Sequence, residues 1–151
     1  MAKSLGVSRG SFYWHFKDLA SYHARLLEHW RAITTDAVIR DIDAGYDDRH
    51  RLEELMLRAI QRGRQTRLDQ AIRHWALFDK TVEASLADVD RMRMAYITSL
   101  LVAAGVSQKK AMLRSRLIYA ASLGDPHIAA QAGPRFTDDD IRQLNTLFSE
   151  T

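Results

Sequence analysis

From Asp18 to Ala44 the chain contains neither glycine nor proline. Within that run Leu19, Tyr22, Leu26, Trp30, Ile33 and Ala37 recur at intervals of three and four, which makes one apolar stripe on an α-helix. A helix of ~27 residues extends roughly 40 Å at 1.5 Å per residue. Gly45 is its natural stop.

The same period governs the rest. Asp48 is placed to cap a helix carrying Leu52, Leu55, Met56 and Ile60, ended by Gly63. Thr66 and Asp69 resemble a capping box opening a helix with Leu68, Ile72, Trp75 and Phe78. Thr81 starts another, with Val82, Leu86, Val89, Tyr96 and Leu100, ended by Gly105. Ser107 caps the next, expected to run to Gly124, and residues 125–136, which hold both prolines, read as a loop. Thr137 caps a last helix bearing Ile141, Leu144 and Phe148, with Asp138, Asp139 and Asp140 in the first turn, where the helix dipole favours negative charge. No strand pattern and no repeat survives beside these. The fold class expected is all-α.

A chain of 151 residues, 46% apolar, suits one domain or one domain with a small appendage. The lack of cysteine excludes disulfides and thiolate metal sites and is compatible with a cytoplasmic protein. No apolar run approaches the ~18 residues of a membrane span. The +3 charge is mildly basic, so the position of the basic residues matters more than their number.

They matter most near the start, in "LGVSRGSFYWHF", Leu5 to Phe16. Gly6 fits the left-handed end of a short helix, and Ser8 fits an N-cap. Val7 and Phe12 then form a hydrophobic staple, and Phe12 and Phe16, four apart, share a face. Those residues lock two helices about a tight turn, a helix-turn-helix whose second helix enters the DNA major groove. The opposite face presents Gly10, Ser11 and Trp14, with Arg9 and Tyr13 on one flank and His15 on the other, and Lys17 just beyond. Arg9 suits bidentate recognition of guanine. Gly10 admits close approach of backbone to DNA. Ser11 and Tyr13 suit phosphates, and Trp14 offers an apolar surface and one donor. Lys17 precedes a helix whose N-terminus should itself attract anions.

The string "LGVSRGSFYWHFKDLASYHARLLEHW" resembles the TetR family of bacterial transcription regulators, through its "LGVS", its "FYWHF" block and the following lysine. Weaker likeness continues in "AIRHWALFD", "VDRMRMAYI" and "RLIYAASLG". The resemblance implies an all-helical homodimer without cofactor, with a DNA-binding domain followed by a ligand-binding and dimerisation domain. Carried onto this chain, residues 1–44 form a partial helix-turn-helix domain with its connecting helix, and 45–151 the second domain. Ser8, Arg9, Gly10, Ser11, Tyr13, Trp14, His15 and Lys17 become the DNA-binding residues, and Asp18 to Ala44 the lever between ligand and DNA. Such a protein is a repressor released from its operator by a small-molecule effector. The family places one helix and most of a second ahead of "LGVS", where this chain has Met1 to Leu5. The expectation is therefore a truncated reading domain. It leaves an alternative: a helical dimer that binds a small molecule or partner protein but not DNA.

The second half holds no phosphate loop and no catalytic motif, so no enzyme is expected. His23 and His29, six apart, point to different faces and would not share a metal, and Asp41 and Asp43 read as a solvated helix end. Met56, Ile60, Trp75, Phe78, Met92, Tyr96 and Leu100 are the expected lining of an apolar ligand pocket, with Arg73 and His74 available for a polar end. The helix from Gln108 has two apolar sides. Leu113, Leu117, Ala120 and Ala121 form one; Ala111, Ser115, Ile118 and Ser122 form a small-residue side. The small-residue side, with Ile141, Leu144, Leu147 and Phe148, is the expected two-fold dimer interface. A two-fold dimer would read a near-palindromic double-stranded operator.

Overall fold

The computed structural model describes residues 16–48, 50–61, 63–132 and 136–150. Its described residues are helical almost throughout, with no strand among them. Helix α1 (Leu19–Arg31) passes through a π-helical turn (Ala32–Asp36) into α2 (Ala37–Gly45), so the long glycine-free run is one continuous helix. Then follow α3 (Arg51–Gln61), α4 (Gly63–Ala76), α5 (Lys80–Ala103), α6 (Gln108–Ala132) and α7 (Asp138–Ser149).

Side-chain caps set several starts. The Asp18 carboxylate accepts from the Ser21 amide at 2.7 Å, while Ser21 Oγ accepts from the Asp18 amide, a reciprocal box. Asp79, rather than Thr81, caps α5 by accepting from the Thr81 and Val82 amides. Asp47, rather than Asp48, accepts from the His50 amide before α3. Thr137 caps α7 as expected, in a box with Asp140, whose carboxyl is held below its usual range by the Thr137 hydroxyl and amide. Gly105, at φ 94°, closes α5 while the Val106 amide bonds back to Leu101.

Three expected boundaries move. Asp69 lies well inside α4, which begins at Gly63, so it caps nothing. Gly63 opens a helix and does not end one. Helix α6 continues past Gly124 to Ala132 through Pro126. A proline inside a helix removes one amide donor, which α6 carries without ending.

Among the described residues the core forms two clusters along α5. One gathers Leu52, Met56, Ile97, Leu100, Leu101, Val106, Ala111, Ile118, Tyr119 and Ile141 from α3, α5, the turn after α5, α6 and α7. The other gathers Leu27, Trp30, Ile72, Ala76, Val82 and Val89 from α1, α4 and the first half of α5. Each fully buried large apolar side chain contributes about 1.5–3 kcal/mol. No helix among the described residues is long and apolar enough to cross a membrane.

The π turn shifts the stripe on the long helix. Leu27 and Trp30 face inward on α1, and the next buried residues are Thr35 and Ile42. The step from 30 to 35 is five, the period of a π turn, whose Ala37 amide bonds to the Ala32 carbonyl. The regular stripe expected through Ile33 and Ala37 is thereby broken. Ile33 and Leu19 are exposed, and two threonines take the inward positions.

Candidate functional site

A cavity of about 180 Å³ opens between the long helix and α3, α4, α5 and α6. Val38, Ile39, Leu55, Met56, Ile97, Ile118 and Leu123 make its apolar wall. Its other end is polar, with Thr34, Thr35, Asp69, Gln70, Arg73, Arg93 and Tyr119. The π turn is what turns two consecutive threonines toward that end.

Arg93 organises the polar end. It lies four residues from both Val89 and Ile97 on the buried face of α5, so the helix carries its guanidinium inward. Its Nε donates to Thr35 Oγ1 at 2.9 Å. Nη1 donates to Asp69 Oδ2 at 2.5 Å and to the Tyr119 hydroxyl at 3.3 Å. Nη2 donates to Thr34 Oγ1 at 2.9 Å and to Asp69 Oδ1 at 3.3 Å. All five N–H groups of the guanidinium are thereby used. Trp30 Nε1 donates to Asp69 Oδ1 at 2.6 Å, and the Arg93 guanidinium lies 5.6 Å from the Trp30 ring centroid. Burial alone would weaken the charge on Arg93; Asp69 more than offsets that, so the arginine is held above its ordinary pKa.

A second pair adjoins the first. Arg73 makes a bidentate bond to Asp90, at 2.7 and 2.9 Å, and donates to the Tyr119 hydroxyl at 2.8 Å. Tyr119 in turn donates to Asp90 Oδ1 at 2.6 Å. Burial raises the Tyr119 pKa to about 12; the Asp90 bond adds to this, against the neighbouring arginines. Tyr119 therefore stays a neutral donor at neutral pH. Tyr96, on the cavity wall, donates to Asp43 at 2.7 Å, and burial followed by that bond raises its pKa as well. Asp43 also lies 3.9 Å from Arg51, and Asp41 lies 3.7 Å from Arg58. Both carboxylates are exposed at the end of α2, as expected of a solvated helix end, and Asp43 in addition accepts from Tyr96 of α5.

The expected pocket is only partly assembled. Met56 and Tyr96 line the cavity, and Arg73 stands at its polar end as anticipated. Leu100 is buried in the core behind it. Trp75 instead packs on the second cluster, with the His23 ring 4.6 Å away. Phe78, 79% exposed beside His74, turns outward at the end of α4. Met92 lines a separate groove between α1 and α5. The side chain of Ile60 lies outside the described residues. Reasoning from apolar types missed Thr34, Thr35, Asp69, Arg93 and Tyr119. The available signal was charge in core register: Arg93 between Val89 and Ile97, and Asp69 one turn before Ile72.

The interface expectation is corrected in one respect. Ala111, Ser115, Ile118 and Ile141 are buried within this chain, with Leu144 and Phe148 packed on the same cluster and Ser122 lining the cavity. Small residues let α6 approach α5 closely, so this side serves the protein's own core, and Ser115 Oγ accepts from Thr98 at 2.9 Å. The opposite side remains outside: Met112, Leu113 and Leu117 are exposed, as is Leu147 on α7.

Of the expected DNA-binding residues, Ser8, Arg9, Gly10, Ser11, Tyr13, Trp14 and His15 lie outside the described residues. Lys17 is exposed directly before α1. The first turn of α1 is already capped by the Asp18 carboxylate, so a phosphate there would meet Lys17 and a negative cap rather than a free helix end. Phe16 stacks edge-on against Tyr22 at 5.0 Å, Tyr22 lies 5.9 Å from His23, and His23 reaches Trp75. A ring-to-ring path thus joins the start of α1 to α4.

Among the described residues no group of three or more histidines and carboxylates is arranged to hold a metal ion. Comparison of the chain with models of protein families, with curated proteins and with solved structures finds no match.

Proposed function

We propose that this chain is a ligand-responsive, DNA-binding transcriptional regulator of TetR type, a repressor whose small-molecule effector occupies the cavity beside Thr34 and Thr35. The observation that carries this reading is the cavity's position. One wall is the helix that begins directly after Lys17, so an occupant touches the element leading to the residues that would read DNA. The π turn supports it further. Such turns are rare inside α-helices and frequent at functional sites, and this one is held by side-chain bonds from Arg93. An effector that favours one arrangement of the turn over the other would shift the spacing between two reading helices, which is the differential affinity that release requires.

In this reading the protein works in the cytoplasm as a homodimer on a near-palindromic operator, and the outward side of α6 supplies the contact. Met112, Leu113 and Leu117 form an exposed apolar strip there. The same strip favours a second reading, a dimer that binds a small molecule or partner protein without DNA.

Selection of duplexes from a random pool by this chain tests the two. Recovery of a near-palindromic sequence, with Arg9→Ala relaxing preference at one base of each half-site and Lys17→Ala weakening all sequences evenly, supports the regulator. Recovery of no preferred sequence by a folded dimer supports the second reading instead.

A further inference from the structure

Asp69, Arg73 and Arg93 line the cavity's polar end, Arg93 paired with Asp69 and Arg73 with Asp90 behind it, and Arg58 on the wall is paired with Glu54 at 2.5 Å. The guanidinium of Arg93 has no N–H left, and the Tyr119 proton is committed to Asp90. Arg73 keeps its Nε buried without a partner, with its charge matched by Asp90; the other open groups are neutral. Thr35 accepts from Arg93 while its own hydroxyl proton has no acceptor among the described residues, and the Gln70 amide has no hydrogen bond to any of them. A carboxylate entering here would lie beside Asp69, and the charge of each lining arginine is already matched by a carboxylate, Asp69, Asp90 or Glu54. An ammonium would lie beside two guanidinium groups. Either ion would lose its hydration without gaining a free counter-charge, which is unfavourable. The volume limits size as well, because a cavity of about 150 Å³ suffices for benzene.

We propose that the cavity takes an uncharged molecule of about one-ring size, with an apolar body against Val38, Ile97 and Ile118 and a single hydroxyl or carbonyl group held by Thr35 and Gln70. The proposal deepens the regulator reading, since it rests on this cavity being the effector site. It assigns Arg93 to holding the helices together and leaves recognition to the two neutral side chains.

Three probes of one shape test it: benzyl alcohol, benzoate and benzylamine, titrated into the intact chain without DNA and followed by calorimetry. Benzyl alcohol is expected to bind at least ten-fold more tightly than either ion. Val38→Phe, which fills the cavity from α2, is expected to abolish that binding. Gln70→Met is expected to weaken it several-fold with the melting temperature of the free protein unchanged, and it serves should Val38→Phe not fold. Tighter binding of benzoate or benzylamine overturns the proposal, as does undiminished binding of benzyl alcohol to either variant, or binding of none of the three at millimolar concentration. Because DNA is absent, these failures leave the regulator reading standing. Conversely, binding of benzyl alcohol that never alters retention of a selected duplex overturns the regulator reading and leaves this one intact.

Discussion

Around Leu101 and Ile141 the helices meet through apolar contact, and their small residues allow α6 to lie close against α5. Around Trp30 the contact is different in kind. There a ring N–H and a buried ion pair join α1 to α4 and α5, and the apolar residues form a smaller cluster. A close-packed apolar core has one good arrangement, because any displacement opens a void. A buried hydrogen-bonded seam is specific in another way: it holds its helices only while every donor is satisfied, and it is costly when left half-made. The difference is one of cause: shape holds the helices at the α6–α7 side, and a satisfied buried charge holds them beside the long helix. Arg93, between the two clusters on α5, joins them.

The comparison can be broken most forcefully at Trp30. Trp30→Ala removes a side chain 1% exposed and the donor to Asp69, and is expected to cost about 3–5 kcal/mol in urea unfolding. Arg93→Met keeps the stem but leaves the Asp69 carboxylate buried without its cation. The expected cost is about 3 kcal/mol, and a loss under about 1 kcal/mol would show that the seam does not hold the clusters together. Tyr119→Phe sharpens the picture, at about 1 kcal/mol near neutral pH. It also has a pH signature. The folded pKa of Tyr119 is raised to about 12, so the folded state binds the extra proton above the ordinary tyrosine range. Its contribution is complete below about pH 10 and is lost as pH rises toward 12. Tyr119→Phe is expected to flatten that part of the stability curve, with Tyr96 sustaining what slope remains. The smallest effect on stability belongs to Leu113→Lys, within about 0.5 kcal/mol because the residue is exposed. Sedimentation should nonetheless show it impairing self-association, and an unchanged oligomer would remove the outward side of α6 from the interface.

Much of the helical plan was legible because local signals sufficed. Gly105 ends α5, Thr137 caps α7, and the run from Asp18 to Ala44 is one long helix. Boundaries failed where a neighbour competed for the same role. Asp47 and Asp79 capped in place of Asp48 and Thr81, and Pro126 did not end α6. The site was less legible. Apolar type alone brought Met56 and Tyr96 to the cavity but also nominated Phe78, which faces water, because aromatic character does not say which side of a helix is turned inward.

The sequence by itself determined that the chain is helical, since period, caps and glycine stops act over a few residues and need no partner. It also determined that an arginine would lie on the buried face of α5, four residues from valine on one side and isoleucine on the other. Only the tertiary structure decided what that arginine would meet. Thr34 and Thr35 reach it because the long helix takes a π turn there, and Asp69 reaches it because α4 packs along α5. Both depend on satisfying one buried charge with groups from three helices, a condition set by packing and absent from any local stretch of the chain.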